Sequence, residues 1–424
     1  MTRYLIIGNS SGGVGAAEAI REIDRDGPLT MVSEEPYPAY SRPLIARYLA
    51  GETPLEHMAY RRPEFYRQND IGLVLGQRLV RLDLESRHAV LDDGRLLPYD
   101  RLLLAVGGAP ILPPIEGLRE HEFFTFTTLD DALRLAARVH CGQRAVVVGG
   151  GLIGLSLTEA LVKLGVHVTI VELAPQILGR ALDAAAASLV LRAVEEAGVR
   201  VLTGRTVARV LGSGPIAGAV SEVELDDGSM LPCDLLIIAI GVRPRTEAVA
   251  GTGIAVQRGI IVDRRMATSC QDIYACGDVA EAYDFIAAGN RLTPIWPNAY
   301  LGGRIAGRNM AGVDTVYSGG TAMNSLHFFG LSIMSAGIVD PPSGEPAYKV
   351  LVRDERPRGM YRKITLLGGR VVGMIFAGDV DRAGIVFGLM RKGTPVESFA
   401  ERLLADNLGL LSLPPELWQQ MVRA

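Results

Sequence analysis

The sequence predicts an α/β chain in which one plan is used twice. Two strand–turn–helix–strand units of the doubly wound, Rossmann-like type are followed by a third, α+β segment. Three observations carry this expectation. The first is a pair of glycine-rich turns: Tyr4-Leu-Ile-Ile-Gly8-Asn-Ser10-Ser-Gly12-Gly13 opens the chain, and Ala145-Val-Val-Val-Gly149-Gly-Gly151-Leu-Ile153-Gly154 stands in its middle. Each lies between a short apolar strand and a helix, the setting in which such a turn cradles a dinucleotide pyrophosphate. The second is an acid closing the second strand of each unit, Glu34 and Glu172. The third is length: 424 residues exceed one hydrophobic core and suggest two or three domains.

Composition narrows the function classes further. A formal charge of −4, from 43 basic and 47 acidic residues, leaves no electrostatic footprint for nucleic acid. No apolar run reaches membrane-span length; 235–240 is strand length. The chain enters a strand within a few residues of Met1, which leaves no room for a cleavable leader and points to the cytoplasm. The four cysteines (141, 233, 270, 276) form no CxxC or CxxxxC pair, so no disulfide framework, zinc site or iron–sulfur cluster is expected within the chain.

In the first unit a strand over 3–7 leads into a helix over about 13–24, and a strand over 29–33 ends at Glu34 and Glu35. A Pro- and Tyr-rich stretch follows, then a short helix with Pro43 in its first turn. Residues 72–104 read as short strands, with Asp92-Asp93-Gly94 as a hairpin turn. Leu102-Leu-Leu-Ala105-Val-Gly107-Gly108 is a buried strand stopped by two glycines, and 110–117 a linker. The second unit begins where Thr127 or Thr128 caps a helix with Asp130 and Asp131 in its first turn. Strand 144–148, helix 152–164 ended by Gly165, strand 166–171 and helix 183–197 ended by Gly198 repeat the plan. Asp226-Asp227-Gly228 is another turn, 235–240 a closing strand, and Gly241-Val-Arg-Pro244 a return to the first domain. From 317 the pattern becomes a hairpin, 361–367 and 370–376, with helical segments to the end. The expected domains are 1–112 with 241–316, then 113–240, then 317–424.

Each signal has a plainer reading beside it. In the first turn Gly8 makes the bend and Gly13 lets helix approach strand, but Ser10 replaces the middle glycine, and a simple strand-to-helix turn would look similar. Glu34 favours the dinucleotide, because an acid there accepts both ribose hydroxyls of an adenosine. The second turn is complete, with Gly149, Gly151 and Gly154. Glu172 also selects among ligands: a 2′-phosphate ~5 Å from a carboxylate, at an effective dielectric of ~20, costs roughly 3 kcal/mol per unit charge, about a hundredfold. NAD is therefore expected over NADP. In Thr268-Ser-Cys-Gln-Asp-Ile-Tyr-Ala-Cys-Gly277-Asp278 a strand delivers Gly-Asp at its end, which alone is an ordinary turn. Two basic stretches, Arg61-Arg62 with Arg67 and Arg353 to Lys363, read either as docking surfaces for an acidic protein or as solvated faces. His327 reads either as a neighbour of a bound cofactor or as a packed histidine.

The order glycine turn, Ala-Val-Gly-Gly, glycine turn, Ala-Ile-Gly-Val-Arg-Pro, Ala-Cys-Gly-Asp resembles the two-dinucleotide-binding flavoproteins, whose fold is that of glutathione reductase. The likeness covers residues 1 to about 316 and implies FAD at the first turn and NAD at the second. The stretch from Val32 to Arg47 is most similar to ferredoxin reductases and apoptosis-inducing factor. That resemblance implies Gly8, Ser10, Gly12, Gly13, Glu34, Arg42, Val80, Ala105, Gly107 and Asp278 around FAD. Arg42 would meet the pyrophosphate, Val80 the adenine and Asp278 the ribityl chain. Arg47 takes the place of the lysine beside flavin N5, and the helix begun by Trp296 and Pro297 points at the flavin pyrimidine. Gly149, Gly151, Ile153, Gly154, Glu172 and Gly241 fall around NAD. Two positions depart from the family. Ser156 stands where many relatives pair a Glu with the N5 lysine, and no cysteine precedes Cys141, so the redox-active thiols of the disulfide reductases are missing.

The function expected is therefore an FAD-dependent NADH:acceptor oxidoreductase, without a disulfide relay, that exchanges electrons with an iron–sulfur or ferredoxin/rubredoxin-type partner. The segments around 361–379 resemble the C-terminal domain of nitrite-reductase and rubredoxin-reductase flavoproteins. The opening segment also resembles NADH:acceptor subunits of 2-oxoacid oxidoreductase complexes of the phenylglyoxylate type, which implies an oligomer or complex subunit. An NADH oxidase making peroxide, and a largely structural or redox-sensing flavoprotein subunit, stay open beside it.

Overall fold

A computed structural model describes residues 1–212, 218–342, 344–409 and 413–414. The chain divides into two compact units. One comprises Met1–Ile111, Thr127–Leu129 and Val242–Ala322; the other comprises Leu112–Phe126, Asp130–Gly241 and Met323–Ala424. The helical segments expected at the extreme C-terminus fall largely outside the described residues.

The first unit is organised by a five-stranded parallel sheet in the order Ile273–Ala275, Arg101–Leu104, Tyr4–Ile7, Leu29–Ser33, Ile71–Leu75. Its strands are almost unbroken apolar runs because both faces of a parallel sheet are covered; Leu5, Ile6, Met31, Leu102 and Leu103 are fully buried. The helices Ser11–Ile23 and Trp296–Met310 cross closely. Small residues permit it: a Cβ on Gly15 would lie 2.6 Å from the Tyr300 carbonyl oxygen, and one on Gly303 would overlap that of Gly12. The expected hairpin turn at 92–94 joins His88–Leu91 to Leu96–Pro98. The return segment Val242–Pro244 pairs antiparallel with Gly108–Pro110. The expected linker is thus partly strand, and its later residue Ile115 is buried in the core of the second unit.

The second unit holds a four-stranded parallel sheet, in the order Arg200–Thr203, His167–Glu172, Arg144–Val148, Leu235–Ile238. It carries the helices Leu152–Lys163 and Ala184–Glu196. The same unit contains a five-stranded antiparallel sheet, in the order Met323–Phe328, Leu331–Gly337, Arg370–Ala377, Met360–Leu367, Tyr348–Glu355. Asp183 fastens the two sheets' layers. One carboxylate oxygen caps the helix Ala184–Glu196 at the Ala186 amide, 3.0 Å away, while the other accepts from Lys363 Nζ at 2.9 Å and Tyr361 OH at 2.7 Å. All three side chains are buried. Removing one partner of such a pair typically costs about 3–5 kcal/mol, since a charge is left buried and unmet.

This arrangement corrects the docking reading of the second basic stretch. Arg362 is buried between Asp379 and Asp406, Arg353 meets Glu355 and Asp406, and Arg356 meets Asp354. Only Arg358 of that run is exposed without an acid partner among the described residues. In the first stretch Arg61 pairs with Glu18 at 2.6 Å and Arg67 with Glu64, leaving Arg62 exposed. His327 is exposed, with Nδ1 3.1 Å from Ser332 Oγ, so it is not the packed histidine of the plainer reading. No described helix is long and apolar enough to cross a membrane.

Candidate dinucleotide sites

The first site is built at the carboxyl ends of the parallel strands, where such sheets place ligands. Gly8 follows strand Tyr4–Ile7 at φ +125°, and a Cβ there would drive into the Ala105 carbonyl. A Cβ on Gly13 would overlap the Gly8 oxygen, and one on Gly12 would lie 2.8 Å from Cys276 Sγ. The turn therefore lies against the backbone that follows strand Arg101–Leu104 and against the Cys276 side chain on the strand leading to Asp278. Ser10 is the N-cap of helix Ser11–Ile23 in extended conformation, yet its hydroxyl makes no capping bond. The first amides of that helix are left for an anion, which is how a helix N-terminus takes a pyrophosphate. Ser11 Oγ donates to the Trp296 carbonyl at 3.0 Å, tying the starts of two helices together. Asn9, inside the turn, accepts from Tyr66 OH at 2.8 Å.

Around this turn the acids and cations are paired in an order sequence reading missed. Glu34, at the end of strand Leu29–Ser33, is paired with Arg245. Its neighbour Glu35 accepts from Tyr40 OH at 2.6 Å and is paired with Arg42, whose Nη1 also donates to the Thr127 carbonyl at 2.8 Å. Burial opposes the charge on Arg42, but Tyr40, Glu35 and Asp278 outweigh it and hold the guanidinium above its ordinary range. Burial pushes the Asp278 carboxyl up, while Arg42 pulls it down. Asp278 has no hydrogen-bond donor among the described residues, as suits a carboxylate that a polyol would satisfy. Gly107 has φ +72° where strand gives way to crossing.

Other expected members lie further out. Arg47, on the short helix Ile45–Leu49, is 61% exposed with Nε 3.4 Å from Glu52. Val80 is exposed on strand Leu79–Asp83 while Leu79 is in the core. Trp296 and Pro297 form the first turn of helix Trp296–Met310, with the Trp296 ring edge-on to Tyr60 at 5.0 Å.

The second site repeats the plan with different support. Gly149 has φ +112°, and its Cβ would lie 2.5 Å from the Ala239 oxygen; a Cβ on Gly154 would overlap the Gly149 oxygen. Gly151 caps helix Leu152–Lys163, and a Cβ there would meet nothing within 4 Å. Packing does not require glycine at 151, and its small size leaves room for the close approach of a ligand. Glu172 accepts from the Gly150 amide at 2.6 Å with one oxygen and from the Ala174 amide at 2.7 Å with the other. Ile153 is half-buried on the first turn of the helix, and Gly241, at φ +114°, follows the closing strand. Ser156 is half-buried on the same helix, one position beyond the buried Leu155.

The residues present fit FAD at the first turn and NAD at the second. Neither site offers a reactive thiol: burial pushes Cys233 and Cys276 up to about 12. Among the described residues no cluster of His, Cys, Asp or Glu could hold a metal. Glu35 and Tyr40 were given no role from the sequence, yet they share one short segment with Arg42, and an alternating acid–aromatic–cation pattern there was a usable signal. Arg245, remote in sequence from Glu34, gave none.

Comparison with known proteins agrees with this geometry. Residues 2–303 match the family described as pyridine nucleotide-disulphide oxidoreductase, and residues 323–394 match the rubredoxin NAD+ reductase C-terminal domain. The NADH-dependent phenylglyoxylate dehydrogenase subunit epsilon of Aromatoleum evansii is 33% identical over 96% of both chains. The nitrite reductase [NAD(P)H] of Bacillus subtilis (strain 168) is 32% identical over 92% of this chain, which spans only 47% of that relative. The reductase in the covalent putidaredoxin reductase–putidaredoxin complex is 26% identical with a TM-score of 0.88, covering 100% of this chain and 99% of that one. The chain belongs to the pyridine nucleotide-disulphide oxidoreductase family.

Proposed function

We propose that this protein is an FAD-dependent NADH:acceptor oxidoreductase that passes electrons to or from a one-electron iron–sulfur or rubredoxin-type carrier, as a subunit or docking partner in a larger assembly. The observation that carries this reading is the pair of anion-cradling turns, each with a carboxylate at its second strand, in a chain without a redox-active cysteine pair. Bound FAD supplies hydride exchange with the nicotinamide and release of electrons singly. The chain supplies position and field. The helix amides after Ser10 and the Arg42 guanidinium hold the pyrophosphate, Asp278 the ribityl chain, and Trp296 opens the helix whose N-terminal dipole faces the ring system. At the second turn Glu172 holds the NADH ribose and opposes a 2′-phosphate. By the resemblance, Arg47 takes the place of the lysine beside flavin N5, and Ser156 the place of that lysine's Glu partner.

With no thiol to relay them, electrons leave the protein directly, and the likeness to proteins named as dehydrogenase and reductase components supports a protein acceptor. Dependence on NADH, which is held inside cells, supports a cytoplasmic place of action. Anaerobic titration of the yellow protein with NADH, with NADPH as control, tests the reading: rapid bleaching by NADH alone is expected. A flavin that stays oxidised under NADH would overturn it in favour of a structural role. The likeness to the NADH oxidase of Methanocaldococcus jannaschii, 31% identical over 74% of this chain, supports a second reading. Fast oxygen uptake by the isolated protein would select it.

A further inference from the structure

The first site contains a cation that the resemblance does not assign. Arg245 leaves strand Val242–Pro244 and is fixed at three points: its amide donates to the Gly107 carbonyl at 3.1 Å, its Nε to the Gly108 carbonyl at 3.2 Å, and its Nη1 meets Glu34 Oε2. Both side chains stay reachable from solvent, 30% exposed for Arg245 and 48% for Glu34. Glu34 Oε1 and Arg245 Nη2 have no hydrogen-bond partner among the described residues.

That leaves one acceptor and one donor side by side. A vicinal diol is complementary to such a pair, since each hydroxyl can donate or accept, whereas a carboxylate alone can only accept. The guanidinium is planar and anchored by Gly108, so it presents its free N–H without further loss of rotamer freedom. We infer that the adenosine ribose of FAD is read by the Glu34–Arg245 pair together, one hydroxyl donating to Glu34 and the other accepting from Arg245, and that Arg245 sets the affinity for the adenosine half of the cofactor. The inference rests on the reading of the first turn as the FAD site.

The test is equilibrium reconstitution of the FAD-free full-length protein, followed by flavin fluorescence, with ADP, ADP lacking both ribose hydroxyls, and FMN as competing probes. Arg245→Ala is expected to weaken FAD and ADP about tenfold, to leave the deoxygenated ADP unchanged, and to leave FMN, which lacks the adenosine, unchanged. Glu34→Ala should lose at least as much, and the double variant no more than Glu34→Ala alone, because the two act as one unit. Arg245→Gln, which can keep the Gly108 bond, guards against a folding defect; it should weaken ADP as well. Equal losses for FMN and FAD, or unchanged ADP affinity in both Arg245 variants, would overturn the inference and leave Arg245 as packing. If Glu34→Ala itself leaves FAD and ADP affinity intact, the assignment of the adenosine end to Glu34 fails first, whatever Arg245 does.

Discussion

The two glycine turns differ in who holds the acid. Glu172 is clasped by main-chain amides at Gly150 and Ala174, one of them inside its own turn. Glu34 is held instead by a side chain, Arg245, from a segment remote in sequence. Main-chain support comes with the fold and no single substitution removes it, whereas side-chain support is a separate, mutable element. On the proposed reading the same ligand element, an adenosine ribose, would be served by a site that is local at the second turn and assembled from distant segments at the first.

The largest expected effects fall on what the turns share. Gly13→Ala and Gly154→Ala each place a Cβ against the carbonyl oxygen of the first glycine in its own turn, Gly8 or Gly149. Backbone cannot yield as a flexible side chain would, so each should cost about 3 kcal/mol or more. Thermal unfolding combined with flavin content separates them. Gly13→Ala should purify pale, and Gly154→Ala yellow but unresponsive to NADH. Loss of both cofactors in both variants would mean that the turns are not separate sites.

Next in size is the ligand choice that the proposed reading gives to Glu172. Its removal in Glu172→Ala takes away the carboxylate that opposes a 2′-phosphate, so the preference for NADH over NADPH should fall by up to about a hundredfold. The readout is the ratio of bleaching rates with the two nucleotides. The corresponding Glu34→Ala should leave that ratio where it was, since it acts at the other turn. A change of nucleotide preference in Glu34→Ala would reverse the assignment of the sites.

Asp278 has no counterpart at the second turn, and its effect has opposite signs with and without FAD. Burial raises its folded-state carboxyl above the ordinary value. Such a group contributes stability that is present below the unfolded pKa and is lost as pH rises through the folded one. At neutral pH the ionised carboxylate therefore weighs against the FAD-free fold. Asp278→Asn should melt higher than its parent without FAD at pH 7, converge on it near pH 4, and bind FAD about tenfold more weakly, having lost a charged acceptor. Melting curves across that pH range check it; a lower melting point for the FAD-free variant at pH 7 would show that Asp278 is satisfied within the protein.

Much of this comparison was legible in the sequence because its determinants are local. Both glycine turns, the acids after the second strands, the helix beginning near Asp183, the Asp-Asp-Gly hairpin and the return at 242–244 all depend on a handful of adjacent residues, and each occupies its expected place. What was not legible depends on strand geometry and on remote partners. Arg362 and Lys363 look like part of a basic run, yet successive strand residues face opposite ways. One is buried against Asp379 and Asp406, the other against Asp183. A surface charge count therefore overstated that run as a docking face. Arg245 belongs to the same class of omission: nothing near it in the chain announces Glu34.

The smallest effect is the most direct comparison of the turns, exchange of their middle residues. Ser10 adopts φ −130° and ψ −160°, Gly151 φ −84° and ψ −170°; both are open to any residue. Ser10 makes no capping bond, so Ser10→Gly should change stability by only a few tenths of a kcal/mol. Gly151→Ser adds a Cβ that meets no protein atom within 4 Å, so it too should fold unchanged. The two should differ in ligand binding. On the proposed reading the first turn receives its pyrophosphate beside a serine, so FAD affinity in Ser10→Gly should move less than about threefold, under 1 kcal/mol. In Gly151→Ser the new hydroxymethyl stands where the nucleotide backbone approaches, and NADH affinity should fall more than that. Equal tolerance at both positions would mean that the middle glycine is no determinant of either site, and that the acids and their partners carry the difference between the turns.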